Sequence, residues 1–265
     1  MAWDIHPRYL RGLRQPQNWR GIIRHKLRKQ INWKRSQQQR VCSRRRYHLV
    51  NHSSPSSDVI SSSFESSADF FRHHGYAYIP DFFSNDFHQL IRTSWPELHF
   101  FRLGSDPIKS YDKGPGWTDV DSERIPGISS DFYRGLEAIA SGWFEERVFQ
   151  FCGDGIDRVN SSLGSAWARV GSHLLPHKDE AARYGLNTII NFIIFIDGAS
   201  PSLQSGGTSL FSSNLYSDPL LIPASLKNSA LVYGTGQQLH HGFPRVGARK
   251  FSKRIIAQFA PRDLV

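Results

Sequence analysis

The sequence is poor in cysteine: only Cys42 and Cys152 occur in 265 residues, together with a single methionine. Two cysteines so far apart do not supply the disulfide framework of a small secreted protein. The chain also has no run of about 18 apolar residues, the length that crosses a bilayer. Its first residues lack the apolar stretch of a secretory signal peptide. We therefore expect a soluble, cytoplasmic protein with no transmembrane segment.

Three catalytic signatures are missing as well. The sequence has no Gly-rich phosphate loop, no Gly-x-Ser-x-Gly nucleophile elbow and no Cys-x-x-Cys pair. The sequence therefore gives no indication of the sites that these three motifs form.

Positive charge is concentrated at one end of the chain. Residues 1–50 hold 14 Lys or Arg residues against one acid, Asp4, so they carry +13, and the remainder carries −3 of the net +10. Interspersed Trp and Ile residues are compatible with a basic amphipathic helix over 18–35, and the composition is equally compatible with a disordered tail. We predict a basic N-terminal extension suited to binding nucleic acid or an anionic surface, or to organelle targeting.

Residues 51–67 follow as a predicted linker. Nine of the fifteen residues 53–67 are serine, a composition typical of flexible segments. Apolar residues become frequent from about Phe64 onward, and we assign one domain to residues 68–265.

Helical patterns precede strand patterns within that domain. The sequence predicts a strand at 75–80, a helix at 84–94, a polar loop at 102–130 and a helix at 131–152. Short strands follow at 166–170, 186–196, 208–211, 220–222, 230–233 and 254–259. Helices followed by many short strands predict a mainly β protein with flanking helices, closed into a barrel or a double sheet.

His177, Lys178 and Asp179 form the strongest local signal. Residues i and i+2 of an extended chain project from the same face, so one imidazole and one carboxylate can converge on an ion. A histidine pair, His240 and His241, follows later in the chain. Two histidines and one carboxylate on one face of an ion leave further positions open, which is the ligand set of non-haem Fe(II) oxygenases.

The region 177–259 resembles the 2-oxoglutarate- and Fe(II)-dependent oxygenases, especially the prolyl-hydroxylase-like and phytanoyl-hydroxylase-like branches. The resemblance rests on HKD at 177–179, GGTSLF at 206–211, LHHGFP at 239–244 and the basic strand entry at 249–254, and segment 70–91 is similar to the superfamily's N-terminal strand and helix. It implies a double-stranded β-helix (jelly roll, cupin-like) that holds Fe(II). It further implies that 2-oxoglutarate and O2 are used to hydroxylate an unknown small-molecule or protein substrate, with release of succinate and CO2.

The same resemblance implies the metal ligands. His177 and Asp179 would be two of them, and the third would be His240 or His241. We favour His240 because it stands four residues before Pro244, as in the prolyl-hydroxylase-like pattern. His241 matches some phytanoyl-type sequences instead.

An arginine would bind the distal carboxylate of 2-oxoglutarate, because the planar guanidinium pairs with both carboxylate oxygens. Arg254 opens the last predicted strand, whereas Arg249 lies nine residues after His240. We favour Arg254, since the position of a residue on a strand sets the direction of its side chain.

Other polar residues receive weaker assignments. We interpret His173 as a structural residue or as a neighbour of the metal ligands. Asn191 is a candidate for contact with the cosubstrate, and we favour a hydrogen-bonded core amide. Function concentrates on loops, which makes candidates for substrate contact of Lys109, Tyr111, Asp112 and Trp117.

Two other functions stay open at this point. One is a catalytically inactive jelly-roll protein that serves in binding or as a scaffold, and the other is a cupin-like metal enzyme that does not use 2-oxoglutarate. A fold by itself does not define the chemistry of its site.

Overall fold

A computed structural model describes residues 59–103, 109–116, 124–179, 189–235 and 239–262. The predicted extension at 1–50, with the helix considered for 18–35, lies outside these residues. The helices are α1 (Ser63–Ser66), α2 (Ala68–His74), α3 (Asn85–Thr93), α4 (Ser130–Ala140) and α5 (Gly142–Cys152). The strands are β1 (Tyr76–Ile79), β2 (Arg102–Leu103), β3 (Lys109–Ser110), β4 (Asp112–Gly116), β5 (Arg158–Ala168), β6 (His173–His177), β7 (Ile190–Gly198), β8 (Ser209–Phe211), β9 (Pro219–Leu221), β10 (Ser229–Gly234), β11 (His240–Phe243) and β12 (Ser252–Pro261). None of the described helices combines the length and the apolar character that a membrane crossing requires.

The strands form two antiparallel sheets. Seven strands lie in the order β1-β10-β7-β12-β5-β4-β2, and five lie in the order β3-β6-β11-β8-β9. The helices pack against one face of the seven-stranded sheet, where their apolar side chains share a core with β7, β10 and β12. The predicted mainly β architecture with flanking helices is confirmed.

Strand β7 is buried on both faces. Phe192 and Ile194 belong to the core shared with the helices, whereas Ile193 and Phe195 pack with Leu210 of the five-stranded sheet. Alternate residues of a strand point to opposite faces, so a strand covered on both sides reads as an unbroken apolar run. The interior between the two sheets is therefore lined by every second residue of the seven-stranded sheet.

The segment predicted to be a linker contributes to the folded domain. Val59, Ile60 and Phe64 are all buried, and Ile60 forms an isolated bridge with Phe83. The linker prediction for 51–67 is therefore wrong over 59–67. Because of the high serine content, the prediction overlooked Val59 and Ile60, which pack into the core while neighbouring serines hydrogen-bond locally.

Replacing Phe64 with alanine tests this correction. The ring lies 4.7 Å from that of Phe151 and 5.9 Å from that of Phe82, measured between centroids. We expect Phe64→Ala to lower the free energy of unfolding by about 3–5 kcal/mol, as for other buried aromatic truncations. Ser62→Ala is the control, because Ser62 is exposed and its side chain makes no capping bond. Equal denaturation midpoints for the two variants would contradict the assignment.

The helix predicted at 131–152 is two helices. They meet at Ser141, whose backbone is extended (φ −75°, ψ 151°) and whose hydroxyl accepts a hydrogen bond from the Phe144 amide. Serine is a preferred N-cap because its side chain satisfies an amide that the first turn leaves free. The apolar period runs through both helices and gave no sign of the break.

The segment predicted as a polar loop, 102–130, contains three short strands. Strand β4 has the sequence DKGPG, and it pairs with β5, where Gly116 stands opposite Gly164. A side-chain carbon at Gly116 would come within 2.7 Å of the Leu163 carbonyl. Backbone pairing to a neighbouring strand creates this element, and the apolar pattern of its own sequence does not reveal it.

Cys152 at the end of α5 offers a probe of folding. Burial raises the pKa of its thiol to about 12, so very little of the reactive thiolate exists near pH 8. In a Cys42→Ser background, we expect Cys152 to react with iodoacetamide only after unfolding, which mass spectrometry with and without denaturant would measure. Rapid labelling of the native protein would contradict the described burial.

Candidate metal centre

The structure brings the histidine and the acid of the HKD segment together. His177 is the last residue of β6, and Asp179 follows the strand two positions later. The His177 Nε2 atom lies 3.8 Å from Oδ1 of Asp179. The shared side that the i, i+2 spacing predicts is therefore present.

His241, rather than His240, is the third side chain that lies beside His177 and Asp179. The Nε2 atom of His241 lies 3.8 Å from Oδ1 of Asp179, and its ring centroid is 4.3 Å from that of His177. His240 is not among the described residues that gather here. Consecutive residues of a strand point to opposite faces, so the choice between neighbours is decided by register. The preference for His240 is thus replaced by the alternative, His241.

Gly242 explains how the two histidines come so close. His241 pairs with His177 across β11 and β6. A side-chain carbon at Gly242 would lie 2.5 Å from the Leu174 carbonyl oxygen, closer than any residue but glycine tolerates. Glycine lets two backbones approach where a side chain would separate them.

The two imidazoles are suited to act as neutral ligands. Nδ1 of His177 donates a hydrogen bond to the Leu175 carbonyl at 2.8 Å, which leaves Nε2 as the atom with a lone pair. Burial lowers the pKa of His241 to about 3, although the nearby Asp179 carboxylate acts in the opposite direction. His241 is therefore uncharged at neutral pH, as metal binding requires.

The geometry fits a first-row metal ion. The three ligand atoms lie within 4.8 Å of one another, and each 3.8 Å separation is shorter than two bonds of about 2.1 Å. Two histidines and one carboxylate form the set that suits Fe(II) with open coordination positions. The three residues could therefore hold such an ion.

Arg254 lines the same cavity as the three ligand-type side chains. The cavity has a volume of about 340 Å³ and includes His177, Asp179, His241 and Arg254 in its wall. The guanidinium is fully buried on β12. The guanidinium carbon Cζ lies 4.9 Å from the ring centroid of Tyr111 and 4.7 Å from that of Phe243.

The Arg254 guanidinium is only partly satisfied. Nη1 donates to the carbonyl of Gly206 at 2.6 Å, while Nε and Nη2 have no hydrogen-bond partner among the described residues. Burial lowers its pKa to about 10, so the group still carries its charge at neutral pH. A buried cation without a counter-ion is costly, and a carboxylate ligand in the cavity would remove that cost.

Arg249 lies elsewhere. It is exposed and occupies a left-handed turn (φ 59°) between β11 and β12. It is not part of the cavity wall. Of the two arginines considered from the sequence, only Arg254 reaches the cavity.

The remaining sequence candidates divide between the cavity and the scaffold. Lys109 and Tyr111 line the cavity. Asp112 is buried and forms an ion pair with Arg169, and His173 takes no part in the metal-type cluster. Trp117 lies outside the described residues.

Sequence reasoning missed one feature of the site. Asn191 is a hydrogen-bonded core amide, as interpreted, but its Nδ2 donates to Oδ2 of Asp179 at 3.2 Å. Its Oδ1 accepts from Nε2 of Gln258 at 2.8 Å. Gln258 stands four positions after Arg254 on β12, so strand alternation alone places both on one face and was the signal available.

Comparison with known proteins identifies the fold. No protein-family model matches the sequence, and no curated protein sequence does. A Pseudomonas putida prolyl-4-hydroxylase superimposes with a TM-score of 0.53 at 13% identity, over 75% of this chain and 98% of that one. A Burkholderia pseudomallei oxidoreductase of the 2OG-Fe(II) oxygenase family gives 0.51 at 10% identity, over 76% and 92%. The α-ketoglutarate-dependent epimerase SnoN from nogalamycin biosynthesis gives 0.51 at 11% identity, over 75% and 82%.

These neighbours agree with the two antiparallel sheets and their flanking helices. The double-stranded β-helix inferred from the sequence motifs is therefore confirmed, and so is the resemblance on which it rested. The chain has the jelly-roll fold of the 2-oxoglutarate- and Fe(II)-dependent oxygenases.

Proposed function

We propose that the protein is an Fe(II)- and 2-oxoglutarate-dependent dioxygenase that hydroxylates its substrate. One observation carries the proposal: a His-Asp-His cluster shares a cavity with a buried arginine, two of whose nitrogen atoms have no hydrogen-bond partner among the described residues. The cluster provides a cation site, and the arginine provides a carboxylate site. A 2-oxo acid with a second carboxylate matches both.

His177, Asp179 and His241 would hold the iron. The bound Fe(II) would supply the activation of O2, which no protein side chain performs. In the overall reaction, one oxygen atom enters a substrate C–H bond and the other enters the succinate that forms as CO2 leaves. The protein's own contribution is to fix the ligands and to orient the cosubstrate.

Arg254 would bind the distal carboxylate of 2-oxoglutarate. Nε and Nη2 of the guanidinium have no hydrogen-bond partner among the described residues and would donate to that carboxylate, while Nη1 stays bound to the Gly206 carbonyl. A charge-assisted pair of hydrogen bonds in a buried site fixes both distance and direction. This would orient the 2-oxo acid end toward the metal ligands.

The experiment measures binding before turnover. We expect 2-oxoglutarate to raise the melting temperature of the protein only when Fe(II), or redox-inert Mn(II) under argon, is present. We then expect succinate to form from 2-oxoglutarate when Fe(II) and O2 are both supplied, and formation to stop when EDTA removes the metal.

Two outcomes would favour the rivals. Metal binding without any effect of 2-oxoglutarate would favour a cupin-like enzyme that uses a different cosubstrate. Absence of metal binding would favour a catalytically inactive binding or scaffold protein. The jelly-roll neighbours include an epimerase, so analysis of the product has to establish hydroxylation separately.

A further inference from the structure

We propose that Gln258 and Asn191 form an amide chain that orients the Asp179 carboxylate toward the metal. The amide chain runs from Gln258 to Asn191 to Asp179. The inference rests on the proposed function, because it gives two further residues a role at the same centre. Both are positioning residues, since they act on the metal through Asp179.

The orientation of the Asp179 side chain depends on contacts from other parts of the fold. Strand β6 ends at His177, and Asp179 itself lies outside any strand, so no sheet pairing fixes its backbone. Among the described residues, Asn191 is the hydrogen-bond donor to the carboxylate, and it binds Oδ2. The other oxygen, Oδ1, lies 3.8 Å from the Nε2 atoms of both His177 and His241 and is therefore the one that would join them as a metal ligand.

Asn191 is placed rigidly enough to do this. It lies in the centre of the seven-stranded sheet, with β10 on one side and β12 on the other, and only 1% of it is exposed. Fixing the backbone on both sides means that only rotation of its own side chain can change what it presents.

Gln258 determines which end of that amide faces the carboxylate. An asparagine amide has a donor end and an acceptor end. With Oδ1 turned toward Asp179, two oxygen acceptors would face each other. The Nε2 group of Gln258 donates to Oδ1 of Asn191 at 2.8 Å and therefore holds the donor end toward Asp179. The two residues are direct partners across β12 and β7, so the strand register maintains the bond.

The amide chain predicts that the effects of replacing Gln258 and Asn191 on metal affinity are coupled. If Gln258 acts only through the Asn191 amide, then replacing Gln258 matters while that amide is present and has no further effect once it is gone. Two residues that merely stabilised the fold would instead lower the melting temperature and leave metal affinity unchanged.

The test is a double-mutant cycle that follows Co(II) binding to the metal-free full-length protein by visible absorption. We expect Asn191→Leu to weaken Co(II) binding roughly 10–100-fold, as for other outer partners of metal ligands. Gln258→Met should weaken it less. The double variant should bind within about twofold of Asn191→Leu alone, because sites that act in series are not additive.

Ser161→Ala is the matched control. Its hydroxyl donates to the backbone carbonyl of Gln258 at 3.1 Å, so it touches the same residue outside the amide chain and should leave Co(II) affinity unchanged. If the wild-type protein binds Co(II) and Gln258→Met binds it equally well, the amide chain is refuted. Additive losses in the double variant refute it too. If the wild-type protein binds no Co(II), the proposed metal centre itself fails, and this inference with it.

Discussion

Arg254→Met is expected to abolish stabilisation by 2-oxoglutarate and to raise the melting temperature of the ligand-free protein. Loss of one partner of a buried charge pair costs about 2–5 kcal/mol, so cosubstrate affinity should fall by roughly 30-fold or more. The ligand-free protein gains stability because the substitution removes a buried cation whose Nε and Nη2 have no partner among the described residues, and an apolar replacement of buried charge is often worth about 1 kcal/mol or more. Differential scanning calorimetry in the presence of Mn(II), with and without 2-oxoglutarate, measures both effects.

The local structure tolerates this substitution. Methionine is flexible and packs well against rings, such as those of Tyr111 and Phe243 that flank the guanidinium. The Gly206 carbonyl keeps a donor, because the Ser252 hydroxyl also binds it at 2.7 Å. Arg249→Ala is the control and should change neither quantity. If Arg249→Ala, and not Arg254→Met, removes the effect of 2-oxoglutarate, the assignment of the cosubstrate site is wrong.

The second large effect concerns the third metal ligand. His241→Ala should weaken metal binding by more than the roughly 100-fold that the loss of an outer partner costs, because a coordinating atom itself is removed. His177→Ala and Asp179→Ala should behave alike, since all three ligand atoms belong to one cluster. Isothermal titration of Mn(II) or Co(II) into the metal-free protein measures the change.

His240→Ala is the matched control for that series. It removes an imidazole next to His241 on the same strand, and His240 lies outside the cluster. We expect the metal affinity and the rate of succinate formation to stay close to those of the wild-type protein. A complete loss of metal binding in His240→Ala with binding retained in His241→Ala would restore the original sequence preference.

Much of the architecture could be predicted from the sequence because local rules govern it. The period-two alternation of β1 and the unbroken apolar run of β7 follow from how strands are covered on one or both faces. The jelly roll itself followed from the family resemblance that the HKD, GGTSLF and LHHGFP segments carry in that order. Where local signals conflicted with packing, prediction failed: the serine-rich segment before Phe64 concealed buried residues, and one apolar period ran through two helices.

The sequence alone determined which residue types were available for a metal and a carboxylate. It also predicted that His177 and Asp179 share a side, because residues two apart on extended backbone project from the same face. Only the tertiary structure decided between His240 and His241, because the register of β11 against β6 and the close approach at Gly242 set which imidazole faces inward. Only the tertiary structure likewise showed that Arg254 lines the cavity and that the amide chain runs through Asn191. These contacts join strands that are distant in sequence, so their geometry exists only after the two sheets have packed.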